Sequence, residues 1–168
     1  MSNKIAHNLE GVSKTLLMTL NIRARESQRP DALIKDENAV AMVSRLERDL
    51  SRLRLRGHDE VAVIMRTDKF DTHVRDFLVH NPGAVIVHIG CGLDTRFERV
   101  DDGLVKWFDL DLPDVIELRQ KLIAIHSKRY HVLAASAFDI DWIEEVSQYK
   151  PRQFMFISEG VLPYFEED

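Results

Sequence analysis

Two glycines flank a cysteine, Gly90-Cys91-Gly92, directly after an apolar run, AVIVHIG at 84–90. A turn of that composition lets the backbone approach a bulky ligand, because no Cβ stands in the way. Asp109 and Asp111 follow in the next apolar segment, VKWFDLD at 105–111. A carboxylate at the end of the strand after a glycine turn can accept hydrogen bonds from both hydroxyls of a ribose. Ser136 and Phe138 follow a third apolar segment, HVLAAS at 131–136. There a hydroxyl can bond the exocyclic amine of an adenine and a ring can stack on its face. Glu159 ends a fourth segment, QFMFISEG at 153–160. A carboxylate at that point can stabilise positive charge on a cofactor or orient a substrate. Arg66 precedes all four segments, and its planar fork suits a ligand carboxylate better than a lysine would.

Each group also has a structural reading. Asp111 can cap a helix opening at Pro113, and Asp109 is open between the two roles. Ser136 can be a cap, Phe138 a core residue, Glu159 an N-cap and Arg66 a surface cation. The glycine pair falls short of the dinucleotide fingerprint, G-x-G-x-x-G, because the third glycine position is Thr95. That departure argues against NAD or FAD, whose pyrophosphate needs an open helix N-terminus.

These residues need elements to hold them. Apolar residues at three- and four-residue spacing predict helices over 12–26, 36–55, 60–80, 113–127 and 139–148. In the second, Arg45, Arg48, Arg52, Arg54 and Arg56 lie off the apolar stripe with Glu47 and Asp49 interleaved, which reads as a solvated face. Gly57 suits the C-cap of that helix. Val61, Ile64, Met65, Phe70, Val74, Phe77 and Leu78 are expected to face inward from the third. Strands are expected over 84–90, 105–111, 131–136 and 153–160, and their alternation with helices predicts a parallel sheet. The final Glu166-Glu167-Asp168, after Pro163, reads as the start of a further helix, so the sheet is expected to be incomplete.

The totals exclude several classes. At 168 residues the chain suits one domain, which buries roughly 70% of its unfolded surface. Lys and Arg number 23 against 28 Asp and Glu, a net charge of −5, which gives no basic grip for nucleic acid. The longest apolar run is too short to cross a bilayer, and the N-terminus lacks a signal-peptide core. One cysteine forms no internal disulfide, so a reducing cytoplasm is the expected compartment. Neither a catalytic triad nor a metal-ligand spacing is visible; the seven histidines are scattered.

Taken together, AVIVHIGCGLDTRF, KWFDLDLPDVIELR and FISEGVLPYF resemble the signatures of the leucine carboxyl methyltransferase family, in the right order and spacing. The bacterial branch of that family includes tetracenomycin-type polyketide O-methyltransferases. LNIRARESQRPDALIKD and RTDKFD resemble its N-terminal helical cap, so the likeness covers about residues 15–165. The resemblance implies a class I methyltransferase fold: an α/β, Rossmann-like, doubly wound and mostly parallel sheet. It divides the single domain into a helical cap at 1–82 and a cofactor-binding region at 83–168.

S-adenosyl-L-methionine is the implied cofactor and S-adenosyl-L-homocysteine the product. By motif position Arg66 holds the methionine carboxylate, and Gly90 and Gly92 line the cofactor loop. Asp111 binds the ribose, and Ser136 and Phe138 border the adenine. Glu159 lies near the methionine part and is the catalytic candidate. Arg23 or Arg25 assists at the carboxylate, whereas Asp94, Thr95 and Arg96 serve loop architecture. Two departures stand out. Glu37-Asn38 replaces a common proline and aromatic, and family members run on well beyond the last residue of this sequence. The expected activity is methyl transfer to a carboxylate or hydroxyl oxygen of a small molecule, with no nucleic-acid or membrane partner. The rivals are a nicotinamide-dependent oxidoreductase and a cofactor-binding or inert fragment that assembles, as a homo-oligomer, through an exposed sheet edge.

Overall fold

The β-branched run Val85–Ile89 forms β1, the strand from which the rest of the sheet is built. It pairs in parallel with β2 (Lys106–Asp111) on one side and with β4 (Phe154–Ser158) on the other. β2 in turn pairs in parallel with β3 (Tyr130–Ala134), giving the order β3-β2-β1-β4. The computed structural model describes residues 13–46, 50 and 53–161. β1 is buried along nearly its whole length because both faces are covered, as its unbroken apolar run requires.

One face of the sheet carries Ile86 and Trp107. They pack with Val74 and Leu78 of α3 (Gly57–His80) and with Phe97 and Val100 of α4 (Arg96–Val100). The other face carries Val85, Val87, Phe108 and Leu110 against Trp142 and Val146 of α6 (Asp141–Ser147). A third cluster joins α1 (Ser13–Ser27), α2 (Glu37–Arg45) and α5 (Pro113–Leu122) through Leu17, Leu20, Met42, Leu118 and Leu122, with Leu93 of the glycine turn among them. The N-terminal helices therefore share a core with the sheet region.

Several elements depart from the sequence expectation. The second helix stops at Arg45, where Leu46 turns extended (φ −76°, ψ 139°). Leu50 is nevertheless buried in the same cluster, so the apolar stripe marked burial and not continuing helix. The residues between, 47–49 and 51–52, lie outside the described residues, as do Val12 and the helix start expected at 166–168. Gly57 opens α3 rather than closing the helix before it. Val61 and Met65 face outward, 52% and 60% exposed, while Thr67 and Asp71 point inward beside Val63, Val74 and Leu78. A search for apolar periodicity discards that stripe, because two of its members are polar and bonded inside. α5 ends at Leu122 rather than 127. Arg45 donates to its last carbonyls, Lys121 O and Leu122 O, at 2.8 Å each, which gives this cation a capping role. α4 was not expected; at five residues it is shorter than periodicity can detect.

No described helix is long and apolar enough to cross a membrane. Among the described residues β4 pairs only with β1, and Phe156 on it is exposed.

Leu17 is fully buried in the cluster shared by α1, α2 and α5. Leu17→Ala is expected to cost about 2–5 kcal/mol and to shift a single unfolding transition. A chemical denaturation curve that splits into two transitions would show that the helical cap and the sheet unfold independently.

Candidate cofactor site

The strand order places a reversal between β1 and β4: the chain leaves β1 towards β2 and β3, then returns to the far side of β1 as β4. A crevice opens at the carboxyl ends of strands at such a point. The register sets what lines it. Ile89 pairs with Leu110 and with Ser158, and Asp111 pairs with Ala134. The residues that follow, Gly90, Asp111, Ser136 and Glu159, therefore emerge along one rim. They border a single cavity of about 370 Å³, together with Gly92, Arg66, Arg23 and His88. That volume lies in the range of small-molecule and cofactor sites.

The glycine turn is held in a conformation that favours glycine. Gly90 and Gly92 have φ of +65° and +53°. A Cβ on Gly90 would stand 2.3 Å from Val161, and one on Gly92 2.5 Å from the tip of Leu16 in α1. Gly90 N donates to Leu110 O at 2.8 Å, tying the turn to β2. Cys91 between them is buried, and burial pushes its thiol well above the ordinary range, which disfavours the thiolate.

The two candidate aspartates separate cleanly. Asp109 is buried within the sheet. It accepts from Trp107 Nε1 at 2.7 Å, from Tyr130 OH at 2.6 Å and from Arg119 Nη2. Burial opposes its charge, but Arg119 with His88 and Tyr130 outweighs burial and holds the carboxyl below its usual value. Asp109 is thus structural. Asp111, two residues on, sits at the rim and accepts from Gly92 N at 2.7 Å and Leu112 N at 2.8 Å. It does not cap α5, whose N-cap is Leu112. A carboxylate offers about four acceptor positions, so Asp111 keeps capacity for two hydroxyls. Burial raises its carboxyl, an effect that the two backbone donors reduce.

At the other end of the cavity Glu159 is bound through both oxygens. Oε1 accepts from Arg66 Nε at 2.9 Å and Oε2 from Arg96 Nη2 at 2.6 Å. Arg66 is thereby fixed by one donor of its five, leaving the rest of its fork for a carboxylate. Arg23 also lines the cavity but donates to Asp36 Oδ2 at 3.0 Å and Leu93 O at 2.7 Å, which makes it a brace for the glycine turn. Arg25 pairs with Glu60 instead. Ser136 borders the cavity, and its hydroxyl accepts from Phe138 N at 3.2 Å. Phe138 does not line the cavity, and its ring is 72% exposed.

Beneath the glycine turn lies a buried ionic network that was only partly visible in sequence. Asp71 accepts from Arg96 Nε and Arg99 Nε, both at 2.7 Å. Asp36 caps Ala39 N at 2.9 Å and accepts from Thr95 Oγ1, Arg23 Nε and Arg99 Nη1. Asp94 accepts from Arg99 Nη2 at 3.0 Å. Arg96 Nη1 lies 3.2 Å from Asp94 Oδ2, close enough to attract although its N–H does not point at the oxygen. Burial works against the Asp94 charge, yet the guanidiniums of Arg96, Arg99 and Arg23 hold its carboxyl well below the usual range. Thr95, the N-cap of α4, is fully buried in this network, so that helix N-terminus is not open to a pyrophosphate, although the glycine turn itself lines the cavity. Asp94, Thr95 and Arg96 serve the loop, as the signature implies. Asp71, Arg99 and Arg119 were missed; Asp71 ends the RTDKFD box and Arg119 ends the KWFDLDLPDVIELR segment, whereas Arg99 carries no signal in the sequence.

The cavity thus offers a glycine cradle, a rim carboxylate and an arginine fork, without a pyrophosphate seat. Such groups can meet a nucleoside ligand that also carries a carboxylate, the combination found in S-adenosyl-L-methionine. The chain belongs to the leucine carboxyl methyltransferase family, whose sequence model matches residues 16–168. It is 38% identical over 160 residues to the tetracenomycin polyketide synthesis O-methyltransferase TcmP of Streptomyces glaucescens, covering 95% of this chain and 58% of that protein. It is 30% identical over 174 residues to the S-adenosyl-L-methionine-dependent methyltransferase dpfgK of Gibberella zeae, covering 95% and 58%. A putative S-adenosyl-L-methionine-dependent methyltransferase of Mycolicibacterium smegmatis is 28% identical over 182 residues, covering 95% and 57%. The chain therefore spans less than three-fifths of the length of these relatives.

The raised carboxyl of Asp111 sets the sign of a test. A raised folded value means stability that is present below the unfolded value and lost as pH rises through the folded one. At neutral pH the charged Asp111 therefore opposes folding. Asp111→Asn removes that charge but turns an amide NH2 onto one of the two backbone donors, so it is expected to lower the melting temperature at pH 7 far less than Asp109→Asn while weakening cofactor-product binding. Asp109→Asn breaks a buried pair and is expected to cost about 3–5 kcal/mol. Thermal melts of both variants check this; an Asp111→Asn protein that melts as low as Asp109→Asn contradicts it.

Proposed function

We propose that this chain is the cofactor-binding part of an S-adenosyl-L-methionine-dependent O-methyltransferase acting on a small molecule. The observation that carries the reading is convergence: Arg66, Gly90, Gly92, Asp111, Ser136 and Glu159 come from separate segments and meet on one cavity. In this reading Arg66 takes the methionine carboxylate, Asp111 the ribose and Ser136 the adenine edge. The cofactor, when bound, supplies a methyl on a sulfonium leaving group for in-line displacement by an acceptor oxygen.

The contribution of the protein is mainly placement and exclusion of water. Glu159, paired with Arg66 and Arg96, holds the Arg66 fork at the end of the cavity where the methionine part of the cofactor would lie. With both oxygens engaged its role is to orient and not to act as a base. A carboxylate acceptor needs no base; a hydroxyl acceptor loses a proton. The methyl acceptor is a small molecule, as the name of the Streptomyces relative suggests. The lone buried cysteine fits a reducing, cytoplasmic setting. A second reading, assembly through the sheet edge, rests on the exposed Phe156 of β4; light scattering that shows a monomer at working concentrations removes it.

Calorimetric titration with S-adenosyl-L-homocysteine tests the main reading. Saturable binding at one site per chain is expected, with none for NADH. Folded protein that binds NADH but not S-adenosyl-L-homocysteine overturns the cofactor assignment.

A further inference from the structure

Gly92 is gripped at both ends of its backbone. Its N–H donates to Asp111 Oδ2 at 2.7 Å, and its carbonyl accepts from Arg119 Nη1 at 3.0 Å. Arg119 is almost fully buried on α5 and is not itself among the residues that line the cavity. Two of its other donors are engaged by fixed partners: Nε by Tyr130 OH at 3.0 Å and Nη2 by Asp109 Oδ2. Tyr130 OH passes its own hydrogen to the same Asp109 oxygen. The guanidinium is thus set in a plane by groups from β2 and β3, and the remaining fork atom points at the glycine turn.

A peptide in the left-handed region has neighbouring arrangements of similar energy when the residue is glycine. Holding its carbonyl from below selects the one in which the N–H meets the rim carboxylate. Asp111 would otherwise be free to turn, since its other partner is only the adjacent Leu112 N. We propose that Arg119 is a positioning residue for the cofactor: it orients the Gly92 peptide, and through it the Asp111 carboxylate that receives the ribose. A lysine cannot reproduce this, because one ammonium cannot reach Tyr130, Asp109 and Gly92 in one plane. The inference rests on the cavity being the cofactor site.

The test compares wild type, Arg119→Lys and the charge-free pair Asp109→Asn with Arg119→Met, which leaves no unpaired buried charge if the lysine variant fails to fold. An Arg129→Ala protein serves as control, since Arg129 pairs with Asp101 at the surface and touches no part of the cavity. Two readouts are taken: the dissociation constant for S-adenosyl-L-homocysteine, and the amide resonance of Gly92 in the free protein. Folded variants are expected to bind roughly ten- to a hundredfold more weakly, the worth of one hydrogen bond to a charged donor. The Gly92 resonance is expected to move before any ligand is added, whereas the control changes neither. A folded variant with wild-type affinity and an unmoved Gly92 resonance overturns the proposal. Wild-type protein that does not bind S-adenosyl-L-homocysteine at all overturns the cofactor reading itself, and is told apart by the absence of binding in every variant.

Discussion

Arg96 and Arg99 enter the interior side by side from one turn of a five-residue helix, and the arrangement of the site follows from where they find carboxylates. A buried guanidinium is costly unless its charge and its donors are both met. Arg99 is met by Asp36, Asp71 and Asp94, and Arg96 by Asp71, Asp94 and Glu159. Those partners belong to different elements: the start of α2, the middle of α3, the glycine loop and the end of β4. Satisfying two arginines therefore fixes four segments relative to one another. No apolar contact has that directionality, because apolar packing is indifferent to rotation about the contact.

The network also explains the shape of the cavity. Glu159 leaves the sheet beside Arg96, and the same carboxylate then sets the Nε of Arg66. A fork on a long flexible stem becomes a fixed feature of the cavity wall. On the opposite side Asp36, with Thr95 and Arg23 bonded to it, braces the glycine turn, whose two glycines line the cavity.

Asp109 and Asp111 show how position along one strand divides identical chemistry. Asp109 pairs across to His88 and Val132 in mid-sheet, so its charge must be neutralised inside and Arg119 does so. Asp111 stands at the last rung, where two backbone donors hold it and, among the described residues, no cation pairs with it directly, so burial still raises its carboxyl. The first contributes to stability. The second carries a residual cost of burial that a ligand's hydroxyls can offset, a common arrangement at binding sites.

Much of this was legible in the sequence. The strands were: VIVHI because a strand buried on both faces demands a continuous β-branched run, and FMFIS by its unbroken apolar, aromatic-rich run, although Phe156 on it is exposed. Gly90, Gly92, Asp111 and Glu159 were, because strand ends in a parallel sheet converge whatever lies between them. The inner face of α3 was not, since Thr67 and Asp71 are polar and only their buried partners give them reason to point inward. Nor was the separation of Asp109 from Asp111, or the place of Phe138, whose ring lies outside the cavity it was expected to border. The sequence by itself determined the layered α/β order and the rim of groups at the strand ends, because hydrophobic period and glycine turns are local properties. Which carboxylate meets which arginine was decided only by tertiary structure, because ion pairs between segments dozens of residues apart leave no periodic trace along the chain.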